Sequence, residues 1–231
     1  EGERLDPARM PEEYRRLLEI AAPFAGEFQS ELAEHIVSHR PRIVGFSSSF
    51  QQSVASAGLA RHIRAAAPET VLVLGGANAM GPMADGLARA FPWIDHVFSG
   101  EADTAFPDFC ERLLRDGTRP EERVIQCKPI YDFRKVAAPD FTDFFETLRP
   151  LQQHAELPDS LPEYLPMESS RGCWWGEKNH CTFCGLNGEG MEFRNKPPER
   201  MFSELEALTE TWNPKMFALT DNIMPQSYLK T

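Results

Sequence analysis

Two short apolar runs, Ile43-Val44-Gly45-Phe46 and Val71-Leu72-Val73-Leu74, constrain this chain more than any other feature. Four consecutive apolar residues are too few for a buried helix. Without polar alternation they suit a strand buried on both faces. A third strand is expected at Asp95 to Phe98. Helical segments follow each run: one through Ala67, one near Pro82 to Ala90, and one from about Asp103 to Leu114. Strands alternating with helices across brief loops predict an α/β fold, a doubly wound parallel sheet covered on both faces. In such a sheet a ligand sits outside the carboxyl ends of the strands. Those ends here carry Ser47-Ser48-Ser49, Gly75-Gly76-Ala77-Asn78 and Ser99-Gly100-Glu101. Glycine lets a ligand approach the backbone and helix N-termini attract polar groups, although glycine also serves ordinary βα turns.

Ahead of the sheet, residues 11 to 38 read as a core-facing helix with Phe24, Phe28, Leu32 and Ile36 on one face, and Pro23 predicts a break. His35, His39 and His62 have no partners at ligand spacing and read as surface or capping residues. After the sheet, Arg123 to Gln126 is a candidate edge strand. Cys110 and Cys127 have no near partner and read as buried or incidental thiols. Six prolines between Pro129 and Pro166 predict an ordered, extended linker draped over both domains, anchored by Tyr131, Phe133, Phe141, Phe144 and Phe145. Asp143 and Glu146 read as a solvated face.

The second half is organised by Cys173, Cys181 and Cys184, a C-x7-C-x2-C array in an otherwise cysteine-poor chain. Three thiols in one loop are an odd number for disulfides and a natural one for a metal. A [4Fe-4S] cluster held by three cysteines keeps one iron open to a ligand. Zinc is the rival, with His180 as a possible fourth donor. The surroundings favour iron. A strand (Tyr164 to Ser169) leads into the loop, a helix opened by Pro197-Pro198 follows with Met201, Leu205, Leu208 and Trp212 on one stripe, and a strand at Lys215 to Thr220 completes a parallel βαβ unit. Trp174, Trp175, Glu177, Lys178 and His180 lie between the first two cysteines and are expected to fold over the metal.

Composition excludes other classes. The formal net charge of -11 argues against general nucleic-acid binding. No apolar run approaches a membrane span, and no signal peptide opens the chain. Five cysteines, three in one loop, suit a reducing, cytoplasmic setting.

The run Arg171-Gly172-Cys173…Cys181-Thr182-Phe183-Cys184-Gly185 resembles the signature of radical S-adenosylmethionine (SAM) enzymes. The superfamily's usual first gap is three residues; here it is seven. The fuller string, Cys-Trp-Trp-Gly-Glu-Lys-Asn-His-Cys-Thr-Phe-Cys-Gly-Leu-Asn-Gly, is similar to the subgroup called RiPP maturation radical SAM protein 1. The resemblance implies an enzyme that cleaves SAM at a [4Fe-4S] cluster to modify a ribosomally synthesised peptide. Its partners would be a ribosomal precursor peptide and an electron donor such as flavodoxin or ferredoxin. Cys173, Cys181 and Cys184 would hold the cluster. Phe183 would sit against adenine and Gly185 would turn the chain around the cluster. Asp221 and Asn222, after the second strand, would stand where the family contacts the SAM amino group.

The same resemblance implies a cobalamin-binding-type domain at residues 1–128, a Pro-rich linker at 129–163, and the first βα units of a radical SAM partial TIM-type barrel at 164–231. Ser47, Ser48, Ser49, Gly75, Gly76 and Glu101 would line the groove for the nucleotide tail of cobalamin. The chain has no Asp-x-His-x-x-Gly motif to supply a lower cobalt ligand, and the sheet's first strand is expected before residue 1. A degenerate domain that docks peptide is therefore the competing reading. With methylcobalamin, C-methylation of an unactivated carbon is the expected reaction; without it, epimerisation or carbon–carbon or thioether bond formation. A zinc- or cluster-stabilised peptide-binding module, or a cobalamin carrier, is the non-catalytic alternative. The remaining barrel units lie outside residues 164–231, so the sequence reads as an excerpt of a longer protein.

Overall fold

The computed structural model describes residues 10–154, 164–185 and 190–229. They form two compact units, Glu1–Pro129 and Ile130–Thr231. The first is built on four parallel strands, β1 (Ile43–Ser47), β2 (Val71–Gly75), β3 (His96–Ser99) and β4 (Val124–Gln126), in the order β1-β2-β3-β4. The register pairs Ile43 with Val71, Val73 with His96, and Val97 with Val124. Strand alternation divides the core. Val44, Phe46, Leu72, Leu74 and Val97 face one side, against α1 (Glu12–Ser38), α2 (Gln52–Ala66) and α3 (Pro82–Ala90). Ile43, Val71, Val73, Phe98 and Ile125 face the other, against α4 (Ala105–Asp116) through Phe109 and Leu113. Helices thus cover both faces, and β2 is almost wholly buried, as its unbroken apolar run requires.

The element edges are fixed by identifiable groups. Asp95 precedes β3; its Oδ2 accepts the Leu72 N–H at 2.7 Å and pairs with the Arg64 guanidinium at 2.5 Å, tying α2 to the strand pair. Trp93 Nε1 donates to Ala57 O at 2.8 Å. Gly117, with φ 76°, closes α4 in the left-handed conformation common at helix ends.

Gly76 carries the tightest turn in this unit. Its φ is 96°, and a Cβ built there would lie 2.6 Å from Ser48 O and 2.7 Å from Ser48 N. Gly86, inside α3, has nothing within 4 Å of its Cβ position. Gly76→Ala is expected to destabilise the protein by about 3 kcal/mol through strain and overpacking. Gly86→Ala should stabilise it by about 0.5–1 kcal/mol through helix propensity. Urea titration measures both, and similar shifts for the two would contradict this geometry.

α1 departs from expectation in two ways. It runs unbroken through Pro23. The carbonyl that proline leaves without a donor lies on an exposed part of the helix, where water can serve it. Nor does the whole helix face the core. Leu32 and Ile36 are half-buried, whereas Phe24 and Phe28 are 64% and 63% exposed. At 1.5 Å per residue, α2, with 15 residues, cannot cover the 27 of α1, and it meets only the later turns. His35, His39 and His62 are exposed, as predicted.

In the second unit, residues expected as extended linker form α5 (Thr142–His154), with Pro150 inside the helix. The Asp140 carboxylate accepts the Thr142 N–H at 2.9 Å and starts it. Phe145 stacks on Trp212 at 4.5 Å, which fastens the helix to its own unit. Asp143 and Glu146 are exposed, as expected. Within the predicted linker, 155–163 with Pro158 and Pro162 lies outside the described residues. β5 (Leu165–Met167) pairs in parallel with β8 (Phe217–Leu219), and α6 (Pro198–Trp212) connects them. Between β5 and α6 a short antiparallel pair, β6 (Ser170–Arg171) and β7 (Arg194–Asn195), brackets the cysteine loop. Sequence patterning gave no sign of that pair. No helix among the described residues is long and apolar enough to cross a membrane.

Candidate metal centre

The cysteine loop leaves the carboxyl end of β5 through β6. Its entry is fixed by Gly172, whose φ is 82° and whose Cβ position lies 2.1 Å from Glu192 O, so only glycine passes there. Cys173 N–H then donates to Met191 O at 3.1 Å. The chain turns at once: Glu177 N–H donates to Cys173 O at 3.0 Å, and Gly176 N–H points at Cys173 Sγ at 3.3 Å. Gly176 packs against Met191, and Glu177 Oε1 accepts the Phe193 N–H at 2.5 Å. The first turn is thereby held on the strand-like stretch before α6.

Cys181 and Cys184 share a second turn, closed by Cys184 N–H on Cys181 O at 3.1 Å. All three cysteines are half-buried and none is in a disulfide. Phe183, between the last two, is 90% exposed. Gly185 has open space at its Cβ position. Among the described residues no three His, Cys, Asp or Glu side chains converge as a metal-binding group. The loop therefore supplies three accessible soft donors in two turns without a closed ligand set. That donor chemistry fits an iron–sulfur cluster with one non-protein position, or zinc with a further ligand. His180 is exposed beside Cys181.

The tryptophans divide. Trp174 is half-buried, with Nε1 donating to Met224 O at 3.1 Å, while Trp175 is half exposed and meets it edge-on at 6.4 Å between ring centres. Asp221 follows β8. Its Oδ1 accepts the N–H groups of Ser169 and Ser170 at 2.8 and 2.9 Å, and its Oδ2 accepts the Ser169 hydroxyl. Its carboxylate, expected near an ammonium ligand, is thus engaged with the chain itself. Asn222 is exposed. Tyr228 donates to Lys196 O at 2.9 Å, and burial pushes its phenol pKa up. Lys196 Nζ lies 2.6 Å from Glu204 Oε2, with both side chains almost wholly buried. Sequence reasoning missed this pair entirely.

In the first unit, a cavity of about 450 Å³ opens at the carboxyl ends of β1 to β3. Ser47, Gly75 and Gly76 line it with Val73, Phe98 and Phe106. Of the other residues expected there, Ser48 and Ser49 have different work. Ser48 is fully buried; its hydroxyl bonds Ser53 at 2.8 Å and accepts from Asn78 Nδ2 at 3.1 Å. Ser49 binds Gln52 Oε1 through both its N–H and its hydroxyl. Glu101 is partly exposed and is not part of the lining. Cys110 and Cys127 belong to this unit, and burial raises both thiol pKa values.

No protein-family model matches this chain, and no curated protein matches it.

Proposed function

We propose that this chain carries the cobalamin-binding-type domain and the cluster-binding opening of a radical SAM enzyme that modifies a ribosomally synthesised peptide. One observation carries the reading: three half-buried thiols at C-x7-C-x2-C spacing lie at the carboxyl end of β5, which pairs in parallel with β8 across a helix. The carboxyl ends of parallel strands are where α/β sheets present chemistry.

Cys173, Cys181 and Cys184 would hold the cluster. Held there, a [4Fe-4S] cluster would offer SAM an open iron and one-electron reductive chemistry, with the electron drawn from an external donor of the flavodoxin or ferredoxin kind. The residues of this chain orient and shield. Gly176 N–H is directed at Cys173 Sγ and orients it, and Phe183 offers an exposed ring to adenine. Trp174, anchored by Nε1 on Met224 O, and Trp175, which it meets edge-on, would limit access of water to the cluster.

The cavity above β1 to β3 supports a flat cofactor tail in the first unit. Its volume falls in the usual range of ligand sites, and Gly75 and Gly76 form part of its lining. Ser47 supplies a polar group at its edge. Such a tail would belong to cobalamin, and methylcobalamin would direct the enzyme to C-methylation.

The test is anaerobic reconstitution of the full chain with iron and sulfide, then incubation with SAM, a reductant and methylcobalamin. Mass spectrometry should detect 5′-deoxyadenosine and S-adenosylhomocysteine together. Deoxyadenosine alone would retain radical chemistry and remove the cobalamin role. Neither product, from protein that holds a cluster, would favour a peptide-binding module instead. Colourless protein with bound zinc would overturn the cluster reading.

A further inference from the structure

The segment after β8 is fastened residue by residue to the strand that delivers Cys173. Thr220 N–H donates to Met167 O at 2.8 Å, the Asp221 carboxylate takes the Ser169 and Ser170 amides, Ser170 Oγ donates to Ile223 O at 3.1 Å, and Trp174 Nε1 donates to Met224 O. Asp221 is the charged member of this series and the one that grips two consecutive amides. Ser169 is fully buried and Ser170 is 3% exposed, so these amides have poor access to water. Leaving them without an acceptor is costly, whereas bonds to an ionised carboxylate are stronger than neutral ones.

We propose that Asp221 is a positioning residue. Its carboxylate clamps Ser169 and Ser170, thereby setting where Cys173 stands relative to Cys181 and Cys184, and it does not serve as the partner of a ligand's ammonium group. The path from the clamp to the thiol is short and stiff. Two residues after Ser170, Gly172 is confined at φ 82° against Glu192 O, and Cys173 N–H is held by Met191 O. The lead-in is thus pinned at both ends. Cys181 and Cys184 sit in a turn of their own, so the clamp acts on the ligand set through Cys173. This inference rests on the cluster reading for its consequence, and on the hydrogen-bond geometry alone for the clamp.

Hydrogen exchange resolved at single amides tests the clamp without any metal. In Asp221→Ala the amides of Ser169 and Ser170 should exchange at least tenfold faster, with protection in α6 kept. Asparagine can keep both bonds through its carbonyl oxygen, with the Ser169 hydroxyl turning to accept from its amide. Asp221→Asn should therefore stay within about threefold of wild type in exchange, in iron retained against a chelator, and in SAM Kd. In Asp221→Ala, iron retention should fall at least threefold.

Unchanged exchange at Ser169 and Ser170 in Asp221→Ala would overturn the clamp. Uniform loss of protection across residues 164–229 would make Asp221 a general stabiliser and overturn the positioning role. A SAM Kd raised more than tenfold in Asp221→Asn, with exchange intact, would restore the ammonium contact and also overturn it. Wild-type protein that takes up no iron would defeat the proposed function, while the exchange experiment would still decide the clamp.

Discussion

Alanine at Cys173, Cys181 or Cys184 is expected to remove the broad absorption near 400 nm from reconstituted protein, because a three-thiolate cluster has no protein ligand to spare. Formation of 5′-deoxyadenosine should fall to the level without enzyme, a loss of about a thousandfold or more, equivalent to at least about 4 kcal/mol of transition-state stabilisation. The loss should be specific. All three side chains are half-buried, so removing a sulfur leaves no sealed cavity, and folding should change by about 1 kcal/mol or less. Cys110→Ala and Cys127→Ala are the matched controls. Those thiols belong to the other folded unit, and burial pushes both toward the protonated form, which does not bind metal. Each control should load iron as wild type does. A Cys173→Ala protein that kept full colour and produced deoxyadenosine would defeat the assignment, since Cys173 is the thiol to which the loop aims a backbone N–H. Full colour lost only in the Cys110 or Cys127 variants would place the metal elsewhere.

What could be read from the sequence was what short-range pattern encodes. β1, β2 and β3 fall within a residue or so of the runs at Ile43, Val71 and Asp95, because a buried strand needs only a few consecutive apolar residues between turn formers. The cysteine spacing and the parallel pairing of β5 with β8 were legible for the same reason. Contacts between distant residues were not. Nothing near Asp221 announces that its acceptors' partners lie about fifty residues upstream, at Ser169 and Ser170. The serine run shows the limit of local reading: Ser47 faces the groove, while Ser48 turns inward to Asn78 and Ser49 is taken by Gln52. Proline misled twice. Pro23 and Pro150 both sit inside helices, since an exposed helix can leave one carbonyl to solvent. Nothing in the sequence around the lysine of Arg-Asn-Lys-Pro-Pro marks it as buried, and only the folded chain shows it.

That lysine makes the second unit's stability depend on a single carboxylate. Lys196 and Glu204 are 1% and 2% exposed at the side chain, with Nζ and Oε2 2.6 Å apart. Arg200 Nε approaches the other oxygen, Oε1, at 2.8 Å, but off the hydrogen-bonding direction, and its own side chain is 35% exposed. The two cations are therefore unequal. If Glu204 is neutralised, the buried Lys196 ammonium loses the carboxylate that faces it. If Lys196 is replaced, Glu204 keeps Arg200, which can turn to meet it. Glu204→Gln is accordingly expected to destabilise by about 3–5 kcal/mol, the usual penalty for orphaning one member of a buried pair. Lys196→Met should cost less, about 1–2 kcal/mol, because the methionine fills the channel of the lysine stem. The double variant Lys196→Met/Glu204→Leu should recover most of the loss, since Arg200 can reach solvent once its partner is gone. Urea titration followed by tryptophan fluorescence measures all three, as Trp174, Trp175 and Trp212 lie in this unit and Trp93 in the other. Equal losses for the two single variants would mean that Arg200 contributes nothing at Glu204. A double variant no better than Glu204→Gln would mean that the pair is held for its hydrogen bonds to the surrounding chain rather than for its charge.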